Sequence, residues 1–295
     1  MKKNIIINYC KLLAIIIFMM ANLMLAKSEQ KTLKVASLSP NITEIIYQLK
    51  GDNFLVGRSS ACNYPAQVQD LNIVGDFAGI FIEKLLKSNV KIVFSIPLPN
   101  LKHKEMLKKL NIELVELKFQ SLDDYYRNVA IIGEKLNLQK NAQDEIERIK
   151  RLVDKQQKKI MSNKTKKKVL FIVWSKPLIV VGKGSFISEF ITLSGGESLG
   201  NKLTNSYAKI SKEWLIAQNP DLIIVSKHSE KMFKDLFSES DKKVLKAFQN
   251  DQVFALENED QVLRFSPRVI DAINEISRLI DNKQKKIDEK SAIKK

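Results

Sequence analysis

Histidine, cysteine and tryptophan occur only twice each in this 295-residue chain, and glycine only ten times. His103 and His228 lie far from each other and from any cysteine in sequence, which excludes a multi-histidine zinc site. A serine–histidine–acid set would have to use one of these two, and no Gly-x-Ser-x-Gly elbow presents a serine nucleophile. No Walker-type phosphate loop occurs. Gly182-x-Gly184 lacks the third glycine and the downstream acid of a dinucleotide site, and so reads as a plain strand-to-helix turn. With no catalytic set assembled, an enzyme is not expected. Long apolar runs are scarce as well: residues 12–26, interrupted by Asn22, fall short of the ~20 residues a spanning helix needs.

That run follows a charged start, Met1-Lys2-Lys3, and ends on the small residue Ala26. Residues 1–26 therefore read as an export signal, with retention as an N-terminal anchor the alternative. No cysteine follows the run, so lipid attachment there is not expected. Cys10 would leave with the signal and Cys62 would stand alone, without an internal disulfide.

Lysine and arginine number 49 against 33 acids, a net charge of +16. The lysines are spread along helix faces and gathered at both ends rather than clustered with arginine and aromatics. They suit a solvated surface, with attraction of an anionic ligand or membrane as the alternative, better than a nucleic-acid site. Hydrophobic residues at 44% and charged residues at 28% are ordinary for a globular protein.

The chain is organised around a polar stretch at residues 140–161, without glycine or proline and rich in good helix formers. Ile146, Ile149, Leu152, Val153 and Ile160 form a narrow apolar stripe at helical spacing. The pattern predicts one long helix connecting two lobes; a surface helix of a single larger domain is the alternative. Before it, residues 33–38, 54–57, 73–75, 91–95 and 112–117 read as strands, with helices at 83–88, 101–110 and 122–136. After it, strands at 168–173, 178–181, 221–226 and 252–256 alternate with helices at 185–193, 213–218, 231–250 and 266–280. Such alternation argues α/β lobes with largely parallel strands. The predicted divisions are an N-terminal lobe at 27–138, a connecting helix at 139–163, a C-terminal lobe at 164–281 and a charged tail at 282–295.

The two halves share a segment. EKLLKSNVKIVFS from Glu83 and EWLIAQNPDLIIVS from Glu213 each run from an acid through an apolar turn to an Asn, then a buried strand ending in Ser. Tyr64, Phe77, Trp174 and Tyr207, with the stretch from Asp260 to Arg264, stand at strand ends or in adjoining loops. Aromatic planes with a few polar groups suit a large, flat, amphipathic ligand held between lobes; core packing is the alternative for each ring.

Three motifs in order, LKVASLSPNITEIIYQL, LVGRSSACNYP and VGDFAGIFIEKL, resemble the N-terminal lobe of the periplasmic substrate-binding proteins for cobalamin, haem and ferric siderophores. KVLFIVW, VVGKGSFISEFITLSGGES and DQVLRFSPRVIDAI are similar to the C-terminal lobe of that family, so the resemblance covers about residues 33–280. It implies two Rossmann-like lobes joined by a single long α-helix (the class III arrangement), a periplasmic location, and delivery of a solute to an inner-membrane ABC permease with its cytoplasmic ATPase. No covalently bound cofactor is implied. The cobalamin branch is the most similar, and its pattern places ligand contacts at Tyr64, Phe77, Tyr207, Asp260 and Arg264, with Trp174 added from its strand-end position. Phe77 and Tyr207 stand where that branch has Trp, which leaves an iron chelate as the alternative cargo. For haem, Tyr64 would be the phenolate ligand. For an anionic siderophore, Arg58, Arg264 and Arg268 would be the forked donors. Cys62 is either an axial metal ligand or a small buried residue. Glu83 and Glu213 fall where the family displays one exposed Glu per lobe to pair with permease arginines. An envelope interaction or sensory module reusing the fold is the reading from another class.

Overall fold

The computed structural model describes residues 33–76, 78–160 and 166–281. Residues 1–26 and 282–295, read above as signal and tail, lie outside the described residues, as does Phe77. Two separate sheets account for the alternation. In the first half, β1 (Val35–Ser37), α1 (Pro40–Gln48), β2 (Leu55–Ser59), β3 (Asn72–Gly75), α2 (Ile82–Lys87), β4 (Ile92–Ser95), α3 (Leu101–Lys109), β5 (Glu113–Glu116) and α4 (Leu122–Lys135) follow in order. The strands lie β3-β2-β1-β4-β5, all parallel. The order reverses at β1, so the chain leaves β1 and β4 in opposite directions and opens a crevice beyond their carboxyl ends.

Between the sheets runs α5 (Gln139–Ile160), 22 residues and so about 33 Å long at 1.5 Å per residue. Ala142, Glu145, Ile146, Ile149, Val153 and Gln156 form its buried stripe, and Leu152 and Ile160 are half-buried. That stripe packs on α4 on one side and on the C-terminal half on the other.

The second half comprises β6 (Lys168–Ser175), β7 (Leu178–Val181), α6 (Phe186–Leu193), β8 (Glu197–Ser198), β9 (Tyr207–Lys209), α7 (Lys212–Gln218), β10 (Leu222–Val225), α8 (Glu230–Asp235), α9 (Glu239–Val244), α10 (Lys246–Gln249), β11 (Val253–Ala255), α11 (Glu259–Leu263) and α12 (Val269–Ile280). Its strand order is β11-β10-β6-β7-β9, with β8 beside the start of β6. Strands β11, β10 and β6 are parallel, whereas β7 runs antiparallel to both β6 and β9. This sheet is therefore less parallel than the sequence pattern suggests. Residues 231–250 form three short helices rather than one. Phe233, Phe237 and Phe248 converge with centroids 5.0–6.2 Å apart, and Ser238 starts a fresh helix through a capping box with Asp241.

The repeated segments have a shared physical reason. Asn89 ends α2 and Asn219 ends α7, each in the left-handed region at φ 54° and 45°, before the chain enters β4 or β10. Asn111 and Asn137 hold the same conformation after α3 and α4. In a chain poor in glycine, asparagine takes the helix-ending position that glycine commonly fills.

Candidate ligand-binding cleft

The two halves meet through buried aromatic rings and paired charges. Phe265, between α11 and α12, is the hub. Its ring stacks on Tyr125 of α4 at 5.3 Å and lies 6.3 Å from Phe119. On its own side it meets Phe186 and Phe190 of α6, both at 5.1 Å. Glu145 of α5 accepts hydrogen bonds from Arg148, Tyr125 and Gln48, and Arg148 also donates to the Pro267 carbonyl at 2.9 Å. Burial pushes the Tyr125 hydroxyl well above its usual pKa, and the Glu145 carboxylate beside it adds to the effect. At the front, Arg268 grips Glu44 of α1, and its guanidinium lies over the Tyr64 ring at 4.3 Å.

Above this junction lies a cavity of about 490 Å³ at the topological switch point. Ser39, Pro40 and Asn41 after β1, and Ile96 and Pro97 after β4, line it from one lobe; Phe186, Leu263, Arg264 and Phe265 line it from the other. A second cavity of about 270 Å³ adjoins it along Ser39, Pro40, Ile96 and Pro97 and reaches toward Asp76, Gly79 and His103. The walls are mainly apolar, with hydroxyl, amide, imidazole and guanidinium groups interspersed, a composition suited to a large amphipathic solute. Ile96 is 48% exposed, an apolar side chain left open on the wall common to both cavities.

Several residues singled out in the sequence come together here. Arg264 lines the larger cavity, pairs with Asp260 at 2.9 Å and donates to Asn63 Oδ1 at 2.6 Å, while Asn63 Nδ2 donates to Asp260 at 3.2 Å. Asp260 and Arg264 thus belong to a cross-lobe latch with the loop carrying Tyr64. Tyr64 is half-exposed but faces a third, open hollow with Glu44, Gln48 and Arg268, beside the cleft rather than in it. Tyr207 is half-exposed and lies on β9 rather than in a loop. Its hydroxyl bonds Ser185, the N-cap of the helix that presents Phe186; burial raises the Tyr207 pKa and that bond opposes the rise. Trp174 is half-exposed at the end of β6 and donates to the Lys176 carbonyl at 2.8 Å; it lines neither cleft cavity.

Two side chains considered as ligand contacts are turned inward. The Cys62 thiol is fully buried within 3.2 Å of the Thr43 and Ser59 hydroxyls, which removes it as an axial ligand for a molecule in the cleft. Arg58 donates to the carbonyls of Ser59, Cys62 and Gln69, holding the Tyr64 loop to the sheet instead of facing a siderophore. Glu83 and Glu213 are exposed in the first turns of α2 and α7, one on each lobe. Sequence reasoning passed over Glu44, the Ile96-Pro97 wall and Phe265. A proline within three residues of the end of each of β1 and β4, Pro40 and Pro97, is the available signal for the wall.

This geometry agrees with what the chain is similar to. Residues 35–259 match the family model described as periplasmic binding protein, and the chain belongs to that family. The vitamin B12-binding protein of Vibrio parahaemolyticus is 28% identical over 259 residues, 86% of this chain and 91% of that one. The crystal structure of the periplasmic vitamin B12 binding protein BtuF of Vibrio cholerae superposes with a TM-score of 0.72 at 25% identity, covering 85% and 98% of the two chains. The periplasmic haem binding protein HutB of Vibrio cholerae, at 20% identity, shares the fold with a TM-score of 0.74 over 84% and 99%.

Proposed function

We propose that this chain is the periplasmic solute-binding protein of an ABC importer, and that it captures a metal-chelate nutrient, a corrinoid such as cobalamin foremost, in the inter-lobe cleft. The observation that carries this reading is the mainly apolar cavity at the switch point, walled by both lobes, with Arg264 in its lining. The similarity to vitamin B12-binding proteins over most of the chain favours a corrinoid over haem or a ferric siderophore. Export of the mature chain by residues 1–26 and docking of Glu83 and Glu213 on a two-fold permease complete the reading. Two carboxylates displayed one per lobe fix the register of such a complex more than they add affinity.

The Asp260–Asn63–Arg264 latch sets the width of the mouth, while Tyr64 faces the neighbouring hollow and Tyr207 supports the helix that presents Phe186. Titration of the purified protein with cyanocobalamin, haemin and ferric siderophores, followed by absorbance, tests the reading. One-to-one binding of a chelate supports it, and a folded protein that binds none of the three refutes it.

A further inference from the structure

The segment that recurs in the two lobes is followed in each by a second shared feature. In each copy the chain runs from an exposed Glu through a short helix and a buried strand to a Ser, and then opens the next helix, α3 after β4 and α8 after β10. Six positions beyond that Ser, each copy carries a large apolar residue: Leu101 after Ser95 and Met232 after Ser226. Leu101 is 69% exposed and Met232 44%. Leu107 and Phe233, on the same two helices, are turned inward and fully buried.

The fold brings each exposed side chain to the end of its lobe that displays the Glu. In the N-terminal lobe, Leu85 of α2 and Leu107 of α3 pack in one cluster with Ala36, Val74 and Val93, so both helices cover the same face of the parallel sheet. Both also begin beyond the carboxyl ends of strands, α2 after β3 and α3 after β4. In the C-terminal lobe, Leu215 of α7 and Phe233 of α8 share a cluster with Ile172 and Val225, again on one face. Strand β9 is antiparallel to β7, and β7 to β6, so β9 and β10 both run parallel with β6. Helices α7 and α8 therefore start at the same end. A single exposed apolar residue calls for no explanation. One that recurs at the same position of a repeat, at the same end as a carboxylate on each lobe, does.

Charges at the rim of an interface steer the partners and fix their register, whereas apolar side chains that fill pockets of the partner supply most of the affinity. The two carboxylates leave that second task open. We propose that Leu101 and Met232 are the apolar anchors of the permease-docking face. Each enters a socket on a membrane-embedded partner whose two halves are related by two-fold symmetry, with an apolar pocket near the cation that meets Glu83 or Glu213. The inference rests on the docking part of the proposed function and is independent of which solute is carried.

The test measures co-sedimentation of the mature chain with the permease–ATPase complex in proteoliposomes. Leu101→Gln and Met232→Gln, which keep length and helix propensity while removing the apolar end, are each expected to weaken docking about tenfold, and the double variant about a hundredfold. Met106→Gln, at a site 45% exposed further along α3, should dock as wild type does. Cyanocobalamin titration and thermal melting of every variant should match wild type, because exposed positions carry little stability. Docking unchanged in Leu101→Gln and Met232→Gln, while Glu83→Lys and Glu213→Lys fail to dock, overturns the inference and leaves the proposed function standing. A loss at only one of the two positions, or an equal loss in Met106→Gln, also overturns it. Failure of wild type to dock overturns the inference together with the docking part of the proposed function, while solute capture is decided separately by the titration.

Discussion

Arg268 and Glu44, from opposite lobes, share two hydrogen bonds of 2.8 and 2.6 Å. The Glu44 side chain is 2% exposed and that of Arg268 17%, so the pair is largely withdrawn from water. Arg264 adds a second positive charge 3.8 Å from Glu44. Removing one partner strands a desolvated charge, which costs more than the intact pair contributes. Glu44→Ala is therefore expected to lose about 3–5 kcal/mol in chemical denaturation. The double variant Glu44→Leu/Arg268→Leu should lose less than the sum of the single changes, because neither charge is left alone.

Phe265 is the apolar counterpart of that pair. Its ring is 1% exposed and touches aromatic rings from both lobes. Phe265→Ala opens a cavity at the junction and should cost about 3–5 kcal/mol. Small-angle scattering of the variant should also show a broader distribution of inter-lobe distances, whereas Phe265→Leu should resemble wild type.

Much of this architecture is legible in the sequence, and the remainder is not, for identifiable reasons. The connector announces itself because a polar segment without glycine or proline, with Ile146, Ile149 and Val153 at helical spacing, has few ways to fold other than as α5. Asn89 and Asn219 are visible as a repeat, and their left-handed conformations explain it. The Glu44–Arg268 pair is invisible because its partners lie 224 positions apart and nothing local marks either as buried. Tyr207 reads as a loop residue in the sequence because β9 has only three residues, too few for alternation to show. Asp260 and Arg264 stand out together in the sequence, but their shared engagement with Asn63 depends on how the lobes are set against each other.

Glu189 supplies a pH-dependent element at the same junction. It accepts the Leu122 N–H across the lobes at 2.9 Å. Burial pushes its carboxyl above the usual value, Asp123 and Asp124 push the same way, and the Leu122 bond opposes them. A raised folded-state pKa means the favourable contribution is complete below the ordinary carboxylate range and is lost as pH rises through the raised value. Glu189→Gln keeps an acceptor for Leu122 without the charge. Its stability relative to wild type should therefore improve between acid and neutral pH, as measured by urea denaturation across that range.

Glu83 and Glu213 are exposed at helix starts on separate lobes, and Glu213 engages its own backbone and the Ser211 side chain that caps its helix. Glu83→Lys and Glu213→Lys should abolish stimulation of the reconstituted transporter's ATPase while leaving solute affinity unchanged, with a stability loss of about 1 kcal/mol or less from the reversed charge at each helix start. An equal loss of solute affinity would assign the two carboxylates to the cleft instead.

The central claim is that the solute sits beyond the carboxyl ends of β1 and β4, where Ile96 lies exposed on the wall shared by both cavities. Isothermal titration of wild type and Ile96→Arg with cyanocobalamin tests it most directly. The account predicts one-to-one binding by wild type and its loss in the folded variant, where a long charged side chain fills the cleft. Absence of binding by wild type, or equal binding by both, would contradict it.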